Sequence, residues 1–233
     1  MRLWFMIAAS AMLVVVASAQ APARSRAALV LPIASAPLSV ETVAEWEMKN
    51  PDGTSTSGVE KTTEYRDAAG RLRSEWEARD ASGGPVVVIL LADPVEGSVV
   101  VLETTTKIAH RLQGPKTGPR GFLSISSGPT GLIGVPGKKT RKTENLGTQT
   151  LEGVEFEGTR TTTTSDVQPS QVAVDESWRS KELGLIGLVK HAGPDGETTS
   201  RIQNLDRTVP DPTLFVIPAD YRIPDMDPAA PSQ

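Results

Sequence analysis

Strict alternation of apolar and polar residues is the feature that most constrains the fold of this chain. Between residues 40 and 48, Val40, Ala44 and Trp46 alternate with glutamates, and the same pattern recurs over 59–66 and 71–79. Within 59–66, the alternation places Tyr65 and Val59 on the same, more apolar side. A strand places successive side chains on opposite faces, so this period predicts a sheet with one buried and one solvated face.

Turn-forming residues separate the alternating segments. Short runs rich in Gly, Asp and Pro occur at 50–53, 67–70, 80–84 and 193–196, and they favour tight turns between antiparallel strands. The continuous apolar run at 85–94 predicts a central strand covered on both faces. One strand is predicted over 98–112, and others between 146 and 205. The fold class is therefore all-β: a strongly curved antiparallel sheet, or half-open barrel, of about ten strands with little helix beyond one turn at 210–215.

Runs of threonine recur along the chain, most clearly at 161–164 and again at 103–106. Threonine is β-branched and favours extended backbone, and its hydroxyl is compatible with water. These runs are therefore predicted to lengthen strands along the solvent-exposed face of the sheet.

The N-terminus has the pattern of an export signal. Arg2 precedes an apolar run over 3–16, and the small residues Ala17 and Ala19 flank Ser18, so cleavage is predicted between Ala19 and Gln20. The run is shorter than the roughly 20 residues of a membrane span, although a retained anchor is the alternative. The mature protein is expected to be periplasmic or secreted, with no membrane span.

The remaining chain is expected to form one domain. Residues 20–37 are predicted to be a flexible Ala/Pro-rich leader, 38–223 a single β domain, and 224–233 a disordered tail. The chain contains no cysteine, which excludes disulfides and thiolate metal sites. Its formal net charge of −4 disfavours general binding to nucleic acid.

A long Gly- and Pro-rich insert is predicted over 113–142. Loops of this length in compact domains are functional or disordered, and its apolar residues suggest a flap. It ends in a basic cluster, which is a candidate contact for an acidic partner or anionic lipid heads; the alternative is a solubilising group of charges beside a loop. The cluster consists of Lys138, Lys139, Arg141 and Lys142.

Catalytic and metal-binding motifs are missing from the sequence. The two histidines, His110 and His191, have no metal-ligand spacing, and the chain contains no GxSxG, P-loop or GxGxxG motif. Paired glutamates such as Glu155 and Glu157 lie on the polar face of an alternating strand, where cross-strand ion pairs explain them. The sequence therefore predicts a protein that is not an enzyme, with no metal and no cofactor.

Five aromatic residues fall on predicted apolar faces of different strands. They are either ordinary core or the lining of an unfilled apolar concavity, which would be a ligand site. The candidate ligand-binding residues are Trp46, Tyr65, Trp76, Phe156 and Trp178.

The C-terminal half resembles a largely uncharacterised family of exported bacterial proteins. The resemblance rests on Gly147 and Gly153, a strand with Trp178 followed by "ELGL", the "PDG" turn at 194–196, "IQN" at 202–204 and "PDPTLFVIPADY" at 210–221. It covers roughly 38–223. From about Leu146 onward the chain is also similar, more distantly, to the outer-membrane lipoprotein carrier and sigma-factor regulatory (LolA-like) superfamily. That resemblance implies a half-open antiparallel barrel whose concave side receives acyl chains.

Two functional hypotheses follow. In the first, the exported protein binds an apolar ligand, such as a lipid or lipoprotein acyl chain, on the concave face. In the second, it is an envelope interaction or sensor module that contacts a protein partner through the 113–142 loop and its basic cluster.

Overall fold

The computed structural model describes residues 36–79, 83–94, 96–112 and 135–224. The predicted signal peptide, nearly all of the predicted leader, the greater part of the predicted insert and residues 225–233 lie outside the described residues.

Eleven strands and one short 3-10 helix make up the described chain. The first six strands are β1 (Leu38–Lys49), β2 (Ser55–Arg66), β3 (Leu72–Arg79), β4 (Pro85–Asp93), β5 (Ser98–Glu103) and β6 (Ile108–Leu112). The other five are β7 (Lys139–Leu151), β8 (Val154–Ser165), β9 (Val172–Ser180), β10 (Leu185–Gly193) and β11 (Gly196–Asp206). The helix spans Pro212–Phe215 and confirms the predicted turn there.

All eleven strands form one antiparallel sheet, which is curved and open. Their order is β6-β5-β4-β3-β2-β1-β11-β10-β9-β8-β7, so β1 lies in the middle. The chain builds one half outward from β1 to β6, crosses to the opposite edge at β7, and returns to β11, which pairs with β1. The predicted all-β fold is confirmed.

The predicted turns at 50–53 and 193–196 connect antiparallel neighbours. Gly193 pairs with Gly196 across the second of these turns. The β7–β8 hairpin is closed by Glu152 and Gly153, with φ of 49° and 75°. Positive φ at both central residues is the requirement of the two-residue hairpin turn whose twist matches the strands.

The prediction of a single strand over 98–112 is wrong. The chain reverses between Glu103 and Ile108, which pair with each other, and Lys107 adopts φ 56° in this turn. The threonines at 104–106 therefore form the β5–β6 turn and do not extend a strand. This reversal supplies the eleventh strand.

The prediction that the threonine run at 161–164 lies on the solvent-exposed face is wrong for two of its members. Thr161 and Thr163 are buried in β8, whereas Thr162 and Thr164 are half-buried. The Thr161 hydroxyl lies 3.2 Å from that of Thr143 on β7. Among the described residues, the Thr163 hydroxyl has no hydrogen-bond partner.

Two apolar clusters stabilise the sheet. The main cluster joins both halves of the sheet and contains Leu38, Val40, Leu72, Val154, Phe156, Leu183, Leu185 and Ile202. The second cluster lies on β4–β6 and contains Ile89, Leu91, Val100, Leu102 and Ala109. Within the described ranges, no helix has the length and apolarity needed to cross a membrane.

Candidate functional site

The strand register assigns each residue of β1–β5 to one of two faces, because residues directly opposite each other in an antiparallel pair lie on the same face. Thr62 on β2 pairs with Thr42 on β1 and with Trp76 on β3, and Trp76 pairs with Val88 on β4. We name this side the Trp76 face. Tyr65, which pairs with Ser39 and Arg73, lies on the opposite side, the Tyr65 face.

The structure does not bring the five predicted aromatic residues onto one face. Trp46 and Trp76 share the Trp76 face, and both are half-buried. Tyr65 lies on the Tyr65 face, where burial and the charge of Glu75 raise the pKa of its phenol. Phe156 is fully buried in the main cluster, and Trp178 packs against that cluster.

Two of the tryptophans cover glycines on neighbouring strands. Trp46 pairs with Gly58, and Trp178 pairs with Gly158. A Cβ atom added to either glycine would lie 2.5–2.6 Å from the nearest ring carbon. An aromatic ring placed over a cross-strand glycine is a recognised device for stabilising a sheet at that position. These two rings therefore have a structural role whether or not they also contact a ligand.

The apolar part of the Trp76 face lies on β3, β4 and β5. Trp76 pairs with Val88, and Leu90 pairs with Val101, so these side chains form one continuous apolar surface. All four are half-buried. Val86 and Ala92 continue the surface along β4 and are also half-buried. Sequence reasoning missed these β4 and β5 residues because it assigned the apolar run at 85–94 to a strand buried on both sides.

The Tyr65 face of the same strands is covered by the C-terminal segment, residues 212–222. Ile217 and Tyr221 pack against the second apolar cluster. Arg73 donates a hydrogen bond of 2.9 Å to the Leu214 carbonyl, and Arg222 forms a parallel bridge with Ile108 on the edge strand β6. The two faces of β4 thus differ: Ile89 and Leu91 are buried, whereas Val88 and Leu90 are not.

A cavity of about 140 Å³ lies beside the C-terminal segment. Its apolar walls include Leu91, Val100 and Phe215, and its polar walls include Arg71 and Arg111. The Arg71 guanidinium stacks 5.4 Å from the centre of the Phe215 ring. None of the five predicted aromatic residues lines this cavity.

The predicted basic cluster lies at the start of β7 rather than entirely in a loop. Lys139 and Arg141 pair with Ser165 and Thr163, whereas Lys142 pairs with Thr162, so the cluster is divided between the two faces of an edge strand. The Lys139 ammonium donates hydrogen bonds to the carbonyls of Val135 and Pro136. Lys138, Arg141 and Lys142 are exposed.

The described part of the chain contains no group of three or more His, Asp or Glu side chains arranged to hold a metal ion. His110 is exposed on β6 and lies 3.5 Å from the Glu103 carboxylate. His191 is enclosed on β10, where Asp175 and Asp195 contact its ring.

Comparison with known proteins finds no matching family model and no matching curated protein. Solved structures that are similar to this chain at low identity include the three that follow. Lipoprotein LppX of Mycobacterium tuberculosis is 12% identical, with 74% of this chain and 88% of that chain covered and a TM-score of 0.34. LolA superfamily protein NE2245 of Nitrosomonas europaea is 7% identical, with 80% and 92% covered and a TM-score of 0.34. LprF of Mycobacterium bovis is 11% identical, with 76% and 90% covered and a TM-score of 0.32.

One of these neighbours is itself named a LolA superfamily protein.

Proposed function

We propose that this chain is an exported, non-enzymatic binding protein that holds an apolar ligand, such as a lipid or lipoprotein acyl chain, on the Trp76 face of β3–β5. The observation that carries the proposal is the unequal cover of the two faces of β4. The C-terminal segment buries Ile89 and Leu91 on one face, while Val88 and Leu90 remain half-buried on the other.

The chemistry of this surface suits an acyl chain. Trp76, Val88, Leu90 and Val101 offer contiguous hydrocarbon, and burying apolar area contributes roughly 25 cal/mol per Å². Ser74 and Thr62 are uncharged polar neighbours on the same face, and Glu103 and His110 border the surface opposite Val88 and Val101. A long flexible hydrocarbon requires no directional recognition, which is consistent with a site made of aliphatic walls and one indole.

The basic cluster offers weaker support for the alternative hypothesis of an interaction or sensor module. Its side chains are divided between two faces of β7, and Lys139 is already hydrogen-bonded to backbone carbonyls. Lysines on an edge strand also have a general role in preventing edge-to-edge aggregation. The apolar surface is therefore the better-supported site.

The decisive experiment is the replacement Trp76→Glu, with uptake of a fluorescent long-chain fatty acid as the assay. A carboxylate in the middle of the apolar surface should weaken uptake by at least about tenfold, equivalent to roughly 1.4 kcal/mol. The matched control is Val59→Glu, because Val59 is 63% exposed and lies on the Tyr65 face. This control should bind as the wild-type protein does.

Circular dichroism and the urea midpoint establish that both variants are folded. The proposal is wrong if the wild-type protein takes up no fatty acid, or if folded Trp76→Glu takes it up with unchanged affinity. Equal losses in the two variants would also contradict it, because they would indicate a nonspecific effect of the added charge.

A further inference from the structure

His191 lies between two carboxylates that come from different elements. Its Nδ1 atom is 2.9 Å from the Asp175 carboxylate on β9, and its Nε2 atom is 3.4 Å from the Asp195 carboxylate in the β10–β11 turn. The histidine and Asp175 side chains are only 10% and 8% exposed, whereas Asp195 is 32% exposed. The imidazole thus joins a buried acid to an acid on the hairpin turn.

The two contacts require a proton on each ring nitrogen. A neutral imidazole carries one N–H and one lone pair, whereas imidazolium donates from both nitrogens. An ionised carboxylate only accepts hydrogen bonds. A neutral His191 can therefore donate a hydrogen bond to Asp175 or to Asp195, but its lone pair would then face the other carboxylate. The geometry therefore matches the charged form of His191.

Apart from Asp175, the residues that neighbour His191 on the same face of the adjacent strands β9 and β11 are uncharged. Thr198 on β11 is directly opposite His191, with Ser200 and Gly196 beside it on the same face. On β10 itself the same-face neighbours are Val189 and Gly193. Beyond Asp175, β9 contributes Ala173 and Ser177.

The more distant strands add few charges to this face. Trp46 and Met48 occupy it on β1, and Thr161 and Thr163 occupy it on β8. Among the described strands, the next charged side chains on this face are Arg141 on β7 and Glu60 on β2, each three strands away. Strands are spaced about 4.8 Å apart, so these two charges lie more than a Debye length from His191.

The turn that carries Asp195 also contacts the middle strand of the sheet. The Lys49 amide donates a hydrogen bond of 3.0 Å to the Asp195 carbonyl. Gly196, with φ 134°, packs so closely on β1 that an added Cβ would collide with the Glu47 carbonyl. Residues 193–196 are therefore held by β1 on one side and by His191 on the other.

We propose that Asp175, His191 and Asp195 form a proton latch, which holds the β10–β11 hairpin against β9 while His191 is charged and loosens when it loses its proton. The latch does not rest on the acyl-chain site, since its three side chains lie on β9, β10 and the β10–β11 turn.

The direction of the pH dependence follows from the contacts. The hydrogen bond that His191 donates to the Asp175 carboxylate raises the pKa of His191 above its usual value of 6.5, with burial acting in the opposite direction. A folded-state pKa above that of the unfolded chain contributes stability that is fully present below about pH 6.5 and is lost as pH rises through the folded pKa. Each unit of elevation corresponds to a tenfold change in the unfolding equilibrium constant.

The test compares urea unfolding at about pH 6 and about pH 9 in the wild-type protein, His191→Gln and His110→Gln. The wild-type unfolding constant should rise several-fold at the higher pH. His191→Gln should remove that rise, because its side chain cannot gain or lose a proton. His110→Gln is the matched control, since His110 is the only other histidine and is exposed, and it should keep the rise.

Two NMR measurements on the wild-type protein complete the test even if His191→Gln does not fold. The His191 ring should titrate above the usual histidine value of 6.5. Amide exchange at 193–198, after correction for its intrinsic pH dependence, should accelerate as His191 titrates. A His191 titration at or below about pH 6.5, an unchanged rise in His191→Gln, or uniform exchange across the sheet would each overturn the latch.

Discussion

Replacing Gly158 by alanine tests whether the ring of Trp178 is fixed by the main apolar cluster. Gly158 lies directly opposite Trp178, and a Cβ atom built on it would be 2.6 Å from one ring carbon and 2.7 Å from two others. Ordinary contacts between carbon atoms are about 3.5–4.0 Å. The indole must therefore withdraw by about 1 Å, toward the cluster against which it packs.

The size of the effect follows from two opposing contributions. Overpacking of a well-packed site costs about 1–3 kcal/mol. Alanine also restricts the unfolded chain more than glycine does, which offsets about 0.4–1 kcal/mol of that cost. The backbone of Gly158 is not in the left-handed region, so it adds no strain. We expect Gly158→Ala to lower the free energy of unfolding by about 1–2 kcal/mol.

The comparable substitution Gly58→Ala is the internal control. Its Cβ would lie 2.5 Å from the ring of Trp46, but that ring is half-buried and belongs to neither apolar cluster. Because neither apolar cluster packs against this ring, unlike that of Trp178, the cost should be below about 1 kcal/mol.

The assay is urea unfolding followed by circular dichroism, which does not depend on the tryptophans being exchanged. With a slope of about 2 kcal/mol per molar, the midpoint of Gly158→Ala should fall by roughly 0.5–1 M. A double-mutant cycle isolates the clash, because in a Trp178→Ala background Gly158→Ala should become neutral or stabilising. The same cost in both backgrounds would refute the reasoning.

Two further predictions concern buried side chains. Phe156 is fully buried in the main cluster, so Phe156→Ala should cost about 3–5 kcal/mol in urea unfolding; a cost below 1 kcal/mol would mean that the ring is not core. Arg66 is also fully buried, and burial lowers its pKa to about 10. Its Nε donates a hydrogen bond of 2.7 Å to the Ala36 carbonyl. Arg66→Met should cost about 3–5 kcal/mol because it removes a buried cation whose charge interacts with the buried Glu64 carboxylate, and adding Glu64→Gln should recover most of the loss. Failure of that recovery would contradict the electrostatic explanation.

Local sequence signals predicted most strands and turns of this fold. Alternation identified β1, β2 and β3, and the "GPDG" segment at 193–196 identified the β10–β11 hairpin, because both signals come from residues adjacent in sequence. The reversal at 104–107 was missed for a related reason. Lys107 adopts a positive φ in that turn, and no glycine, asparagine or proline marks the position.

The face assignments could not be predicted in the same way, because they depend on register. Lys49 pairs with Ser55 across the five-residue connection 50–54, so Val40 lies opposite Glu64 and Trp46 lies opposite Gly58. A connection with an even number of residues would have placed Val59 and Tyr65 on the face of Trp46. Alternation within β2 is compatible with either register. The predicted grouping of Tyr65 with the tryptophans requires a connection with an even number of residues, whereas the structure has five.

The distinction between core and candidate site on β4 depends on residues far away in the chain. Val88 and Leu90 alternate with Ile89 and Leu91, and nothing within the run at 85–94 separates one pair from the other. They differ because the segment at 212–222 packs on the side of Ile89 and Leu91, where Arg73 holds the Leu214 carbonyl. An apolar strand face becomes core or binding surface according to what covers it, so the site on the Trp76 face is a property of the C-terminal packing as much as of β4.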